Sequence, residues 1–175
     1  MLLKGKKVAY LIGPEFEDLE FWVPLMRLKE EGATISIVGL EGKKEYHGKH
    51  GVPANSDFSA EQVLDQPFDA LVIPGGWAPD KLRRSEAVKE LVRRMNKDGK
   101  IIAMICHAGW VGISAGIVKG HAATGSSAIK DDIINAGGTW RDEPAFRDGN
   151  LVWGRVVADI PDFCRELVKA LSGSK

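Results

Sequence analysis

The run Ile101-Ile102-Ala103-Met104-Ile105 is apolar at every position. A strand with one wet face alternates apolar and polar residues, so an unbroken run implies cover on both faces. Val8-Ala9-Tyr10-Leu11-Ile12 and the Ala70 to Ile73 part of Phe68–Pro74 read the same way. Such strands belong to a parallel sheet with helices on each side. The first crossover is legible. Leu19, Trp22, Val23 and Met26 fall at i, i+3, i+4 and i+7, predicting a helix with that stripe as its apolar face and Asp18 as its cap. Pro24 fits its first turns or a kink. Gly32 ends it, and Thr34–Val38 is the second strand, completing a βαβ unit.

The remaining chain continues the pattern. Gly39 to Ser59 is polar and broken by Gly42, Gly48, Gly51 and Pro53, which predicts a short hairpin or extended excursion at one edge, with His47 and His50 as exposed loop residues. Gly75 to Asp80 is the loop leaving the Phe68–Pro74 strand. Val88, Leu91, Val92 and Met95 mark a helix capped by Ser85 and stopped by Gly99. Beyond Ile105 come a small-residue helix near Gly109–Ala115, a short strand at Gly120–Thr124, a helix carrying Ile129, Ile133 and Ile134, short strands at Thr139-Trp140 and Ala145–Arg147, and a turn at Asp148-Gly149 into Leu151–Trp153. A last helix shows Ile160, Phe163, Cys164, Leu167, Val168 and Leu171 on one face, and residues 172–175 read as frayed.

The 175 residues predict one domain with a sizeable core, spanning 1–175. Basic and acidic residues number 24 each, so no broad field favours nucleic acid or an anionic membrane surface. No apolar run approaches the ~20 residues of a membrane helix, and Met1–Lys7 has no signal-peptide core. Two unpaired cysteines suit a reducing cytoplasm. His47 and His50 lack partners at metal-ligand spacing, and Gly75-Gly76 lacks the spacing of a phosphate or dinucleotide loop, so no metal and no cofactor is expected.

The chemistry concentrates where the strands end. Cys164 lies on an apolar helical stripe, where free cysteine acts as a small hydrophobe. Cys106 lies at a strand end beside His107, with Gly109 following. A strand-to-helix turn pushes such a residue out of the sheet, among amides that stabilise a thiolate or an oxyanion. An imidazole neighbour activates a thiol; a buried structural cysteine beside a chance histidine is the alternative reading. Ligands of open parallel sheets bind at the carboxyl ends of strands. Three loops leave such ends, bringing Glu15, Glu17 and Asp18, then Gly75-Gly76, then Cys106. Asp18 reads as a first-turn acid favoured by the helix dipole.

The blocks Glu15-Phe16-Glu17-Asp18-Leu19-Glu20, Gly48-Lys49-His50-Gly51, Phe68–Gly76, Ala103–His107 and Ile129–Gly137 together resemble the ThiJ/PfpI family, the intracellular protease/amidase branch of the class I glutamine amidotransferase-like superfamily. The resemblance runs from about Val8 to Leu171. It implies a flavodoxin-like α/β three-layer sandwich with a mainly parallel sheet and a nucleophile elbow. It also implies that Cys106 is the nucleophile, that His107 is the catalytic histidine, and that Glu17 contacts the sulfur as a protonated partner. The amides of Gly76 and His107 would form the oxyanion site. Asp80 of a neighbouring subunit would orient His107, making a homo-oligomer, a dimer or a hexamer, part of the site.

The chain also departs from the family. Ala108-Gly109-Trp110 follows Cys-His where Gly-Pro is frequent, Trp77 follows Pro-Gly-Gly where polar residues are frequent, and a tyrosine of some relatives aligns near Ser126. The late Arg-x-Pro-x-Asp pattern appears as Arg155–Asp159 without the proline. Trp77, Trp110 and Ser126 are therefore expected pocket walls, with a subunit interface the other reading for the two tryptophans. The resemblance implies an enzyme of the glyoxalase III or deglycase kind, acting on a small carbonyl substrate or its amino-group adducts. A cysteine peptidase or amidase acting on peptides is the alternative within the enzyme class. A redox-sensing stress protein or holdase chaperone is the alternative outside it. An amidotransferase domain fits poorly, because the late segment holds no histidine.

Overall fold

The computed structural model describes residues 1–173. Strands β1 (Lys7–Leu11), β2 (Thr34–Gly39), β3 (Glu45–His47), β4 (Pro53–Asn55), β5 (Phe58–Ser59), β6 (Ala70–Ile73), β7 (Ile101–Ile105), β8 (Ala122–Ala123), β9 (Thr139–Trp140), β10 (Ala145–Asp148) and β11 (Leu151–Gly154) are interleaved with six helices. These are α1 (Asp18–Glu30), α2 (Ala78–Leu82), α3 (Glu86–Lys97), α4 (Gly109–Ala115), α5 (Lys130–Asn135) and α6 (Ile160–Ser172). The main sheet has the order β10-β11-β7-β6-β1-β2-β5, parallel throughout except β10 against β11. Helices flank the sheet in a flavodoxin-like α/β fold. The order reverses between β1 and β6, and a crevice opens there at the carboxyl edge.

The apolar runs are the sheet's buried centre: β6 and β7 are buried at every residue. Gly39–Ser59 folds as the β3–β4 hairpin plus β5 on the sheet edge. Ser85 caps α3 by accepting from the Val88 amide at 3.3 Å. The expected Gly75–Asp80 loop instead turns into α2 at Ala78, with Pro79 in the first turn where its missing N–H costs nothing. Ser172 closes α6 and is not frayed, while residues 174 and 175 of that expectation lie outside the described residues.

Helix α1 departs most from expectation. Its cap is Glu17, not Asp18: Glu17 Oε2 accepts the Glu20 amide at 2.9 Å. The stripe Leu19, Val23 and Met26 faces solvent, and Phe21, Pro24, Leu25 and Leu28 face the core together with Asp18 and Glu20. Two acids set this rotation. Asp18 accepts the backbone amides of His50 (2.9 Å) and Val52 (3.0 Å), and Glu20 accepts that of Gly75 (2.8 Å). A buried carboxylate without such donors is costly, so the polar anchors override the apolar pattern. A Cβ at Gly48 would lie 2.2 Å from Asp18 Oδ1, so only glycine admits this anchor.

Candidate active site

Cys106 follows β7 at φ 61°, one of three non-glycine residues with positive φ among the described residues. A left-handed conformation at such a residue costs of order 1–3 kcal/mol. Cys106–Ala108 form a 3-10 turn leading into α4, so the thiol stands at the sheet's carboxyl edge. The carbonyl of Cys106 accepts the Ser126 amide at 3.1 Å, tying the elbow to the loop after β8. His107 Nδ1 lies 3.2 Å from Cys106 Sγ. The backbone amides of His107 and Gly76 lie near enough to the sulfur to favour its charged form. These are the two amides expected to form an oxyanion site.

The carboxyl group at the sulfur belongs to Glu20, not Glu17. The Glu20 carboxyl is the acid close enough to the thiol for each to act on the other's charge, and its Oε1 is buried without any other partner. A cap carboxylate must fold back onto the first turn, so Glu17 is turned away from the sulfur although it still lines the same cleft. Glu20, three residues on, sits on the inward face and is fully buried. Gly75 makes the approach possible: a Cβ there would lie 2.4 Å from Glu20 Oε2 and 2.7 Å from Cys106 Cβ.

Glu20 is also held from behind. Its carbonyl would receive the N–H of residue 24 in a regular helix, but residue 24 is Pro24, which has none. The buried Tyr10 hydroxyl donates to that carbonyl at 2.9 Å. Tyr10→Phe leaves the carbonyl buried without a donor. It should lower unfolding stability by about 1–3 kcal/mol and reduce turnover at Cys106 by loosening Glu20. Urea unfolding and steady-state kinetics of the variant check both, and wild-type values in both would refute the account.

The electrostatics follow from burial. Burial raises the Glu20 carboxyl from 4.5 to about 7, aided by the nearby Glu17. Burial, then the Glu20 charge, pushes the Cys106 thiol up to about 12. His107 is lowered from 6.5 by burial and by Lys49, so its ring is neutral at neutral pH and can accept a proton. At that pH one proton rests on the thiol and Glu20 is divided between its two forms. Burial and the Glu20 charge thus both oppose a standing thiolate at the elbow.

The cleft holds ≈ 290 Å³ and is lined by Glu17, Glu20, Lys49, Gly76, Trp77, Cys106, His107 and Val156–Ala158. Trp77 is half-exposed on its wall, its ring centre 5.7 Å from that of His107. The Trp110 ring is edge-on to the imidazole, centre to centre 5.1 Å. Its indole N–H donates to Asp132 at 2.8 Å, so it buttresses His107 without lining the cleft. Ser126 also stays out of the cleft: its hydroxyl accepts from Ala128 and only its backbone reaches the elbow. Asp80 pairs with Arg84 (2.7 Å) and Lys81 (3.6 Å) of its own chain. The sequence missed Glu20, Lys49 and Val156–Ala158. The signals for the first were Glu17-x-x-Glu20 at a helix start and Pro24 four residues later.

Near the cleft mouth, ligand atoms of Glu17, Asp18 and His50 lie within 4.8 Å of one another, a cluster that sequence spacing hid. The Asp18 oxygens and Glu17 Oε2 already accept backbone amides, whose dipoles oppose a cation.

Residues 6–170 match the DJ-1/PfpI family. Deglycase PH1704 of Pyrococcus horikoshii is 44% identical over 94% of this chain and 99% of its own. The putative cysteine protease YraA of Bacillus subtilis is 36% identical over 95% and 98%. A two-domain protein of Anabaena variabilis, with DJ-1/ThiJ/PfpI-like and ferritin-like domains, superposes with a TM-score of 0.92 at 36% identity. That match covers 97% of this chain and 48% of the other, so this chain spans about half of that protein's length. With the elbow, its carboxyl partner and these near full-length matches in hand, the chain belongs to the DJ-1/PfpI family.

Proposed function

We propose that this chain is a cysteine enzyme acting on reactive carbonyls and their adducts on amino groups, of the deglycase or glyoxalase III kind. The observation that carries the reading is the buried Glu20 carboxyl, protonated up to about pH 7, against a thiol whose other neighbour is a neutral imidazole. Neutral His107 takes the thiol proton as Cys106 Sγ bonds to the aldehyde carbon of a 2-oxoaldehyde. The alkoxide so formed takes a proton from Glu20 or from the imidazolium and becomes a hemithioacetal hydroxyl. The carbon-bound proton then moves to the neighbouring ketone carbon through an enediol, with Glu20 and His107 as carriers, leaving an acyl thioester. Water hydrolyses the thioester to the 2-hydroxy acid and restores the thiol. With an amino-group adduct the amine leaves with a proton when sulfur bonds to the carbinol carbon, and the later steps are the same. The relatives named as deglycases support this assignment.

The test is lactate production from methylglyoxal without added glutathione. Lactate formation at a rate proportional to enzyme supports the reading; its absence from correctly folded protein sinks it.

Peptidase activity is the second reading, favoured by the relative named a putative cysteine protease. It needs an acid to orient His107, and within the chain Asp80 faces Arg84 and Lys81 instead. The remaining route is in trans, from a neighbouring subunit of a cytoplasmic homo-oligomer. Asp80→Ala should then abolish peptide hydrolysis while leaving lactate formation within about threefold. Equal loss of both activities, or of neither, would count against the trans pairing.

A further inference from the structure

A second cavity of ≈ 330 Å³ adjoins the cleft. Gly125, Ser127, Lys130, Trp140, Asp142, Arg155 and Val156 line it, and Val156 also lines the cleft. Val156 is extended (φ −149°, ψ 176°) and exposed, and it is the residue common to both linings. The cavity is fixed relative to the thiol. Gly125 packs on the Cys106 carbonyl, where a Cβ would lie 2.6 Å from the oxygen, and the Ser126 amide donates to the same atom.

The two spaces together far exceed what a three-carbon dicarbonyl fills, roughly 100 Å³ when reckoned as three or four waters' volume. The walls of the second cavity carry an uneven charge. Arg155 is satisfied by Asp159 and Asp142. Lys130 pairs with no acid among the described residues. The half-buried indole of Trp140 lines the same cavity and offers a flat apolar surface, while Lys130 is exposed.

We propose that the cavity beyond Val156 is a subsite for the polypeptide that carries the adduct, where Lys130 and Trp140 receive an acidic residue flanking the modified one. This rests on the carbonyl-adduct reading above and specifies its substrate. The modified side chain enters the cleft, and the chain passes over Val156. Lys130 pairs with the flanking carboxylate, and Trp140 packs on its methylenes.

The test compares wild type, Lys130→Glu and Trp140→Ala on three substrates. These are free methylglyoxal and short peptides freshly treated with it, whose modified lysine is flanked by aspartate or by lysine. For Lys130→Glu, kcat/KM on the aspartate-flanked peptide should fall roughly fivefold, as expected of one partly exposed ion pair. The lysine-flanked peptide should gain, and methylglyoxal should be unchanged. Trp140→Ala should slow both peptides and spare methylglyoxal. Peptide kinetics unmoved in both variants would overturn the subsite, as would a parallel loss on methylglyoxal. A wild type that turns over methylglyoxal but no peptide would overturn it too and leave the carbonyl activity standing; turnover of none of the three would remove that activity itself. Sedimentation of Trp140→Ala closes the other route: a drop in mass would make a second copy of the chain the occupant and overturn the proposal.

Discussion

Cys106→Ser should eliminate lactate formation from methylglyoxal, by at least about three orders of magnitude, with an unfolding midpoint close to wild type. The size of the effect follows from what surrounds the sulfur. The amides of His107 and Gly76, the Glu20 carboxyl and the His107 ring converge on this one atom. None of these groups makes an alcohol acidic enough to replace a thiol, since a serine hydroxyl at this elbow would meet the same burial that already raises the thiol to about 12. Serine keeps the backbone, so the φ of 61° and the Ser126 contact to the carbonyl persist. Lactate assays of both proteins at equal concentration, paired with circular dichroism melts, check the result. Turnover within tenfold of wild type in the serine variant would mean that the sulfur is not the reacting atom.

The result also bears on the sensor reading. A thiol that oxidises readily needs thiolate character and access. Cys106 has a thiol raised to about 12 and is only partly exposed. In the proposed reaction the nucleophile is made at the moment of attack, by proton transfer to the imidazole. Burial and the Glu20 charge oppose the standing thiolate that usually marks a peroxide-sensing cysteine.

The fold was legible because burial on both faces writes itself into composition. Ile101–Ile105 and Ala70–Ile73 have no polar alternation, and they are neighbouring inner strands of the sheet with every residue buried. The turn at Cys106 was legible for the same reason: an apolar strand that stops at a thiol, with glycine close behind, leaves the sheet abruptly. Helix α1 misled because periodicity assumes that the apolar stripe faces inward. Leu19, Val23 and Met26 do not, since Asp18 and Glu20 each find backbone donors on the inner side. Those donors come from the β3–β4 hairpin and from Gly75, distant in sequence, so no local pattern announces them. The exchange of Glu17 for Glu20 has the same origin. Both are acids in one short block, and only the helix start decides which becomes the cap and which points at the thiol. The clustering of His50 with Glu17 and Asp18 was invisible because the hairpin brings it there from over 30 residues away.

Glu20→Gln should produce a protein that is more stable and less active. The neutral carboxyl is accommodated in the folded chain, and its charged form is opposed by burial. A folded-state value raised from 4.5 to about 7 means that wild-type stability is full below pH 4.5. It declines as pH rises through the window from 4.5 to about 7 and is flat above it, with a total loss of about 3 kcal/mol from this group. Glutamine is neutral throughout, its oxygen can keep the Gly75 amide, and its own N–H replaces the acid's proton toward the sulfur. The variant should therefore match wild type near pH 4.5 and exceed it by up to about 3 kcal/mol at pH 8, as urea unfolding at the two values would show. Activity should move the other way. An amide cannot shuttle a proton, so kcat should fall by about a hundredfold or more. The alkaline limb near pH 7, where wild-type Glu20 loses the proton it donates, should vanish from the pH profile. A variant less stable than wild type at pH 8 would mean that Glu20 is held as a charged group. An unchanged kcat would leave His107 to carry every proton. If stability rises while kcat falls, Glu20 is a group whose burial the fold tolerates at a cost because the reaction needs its proton beside the sulfur.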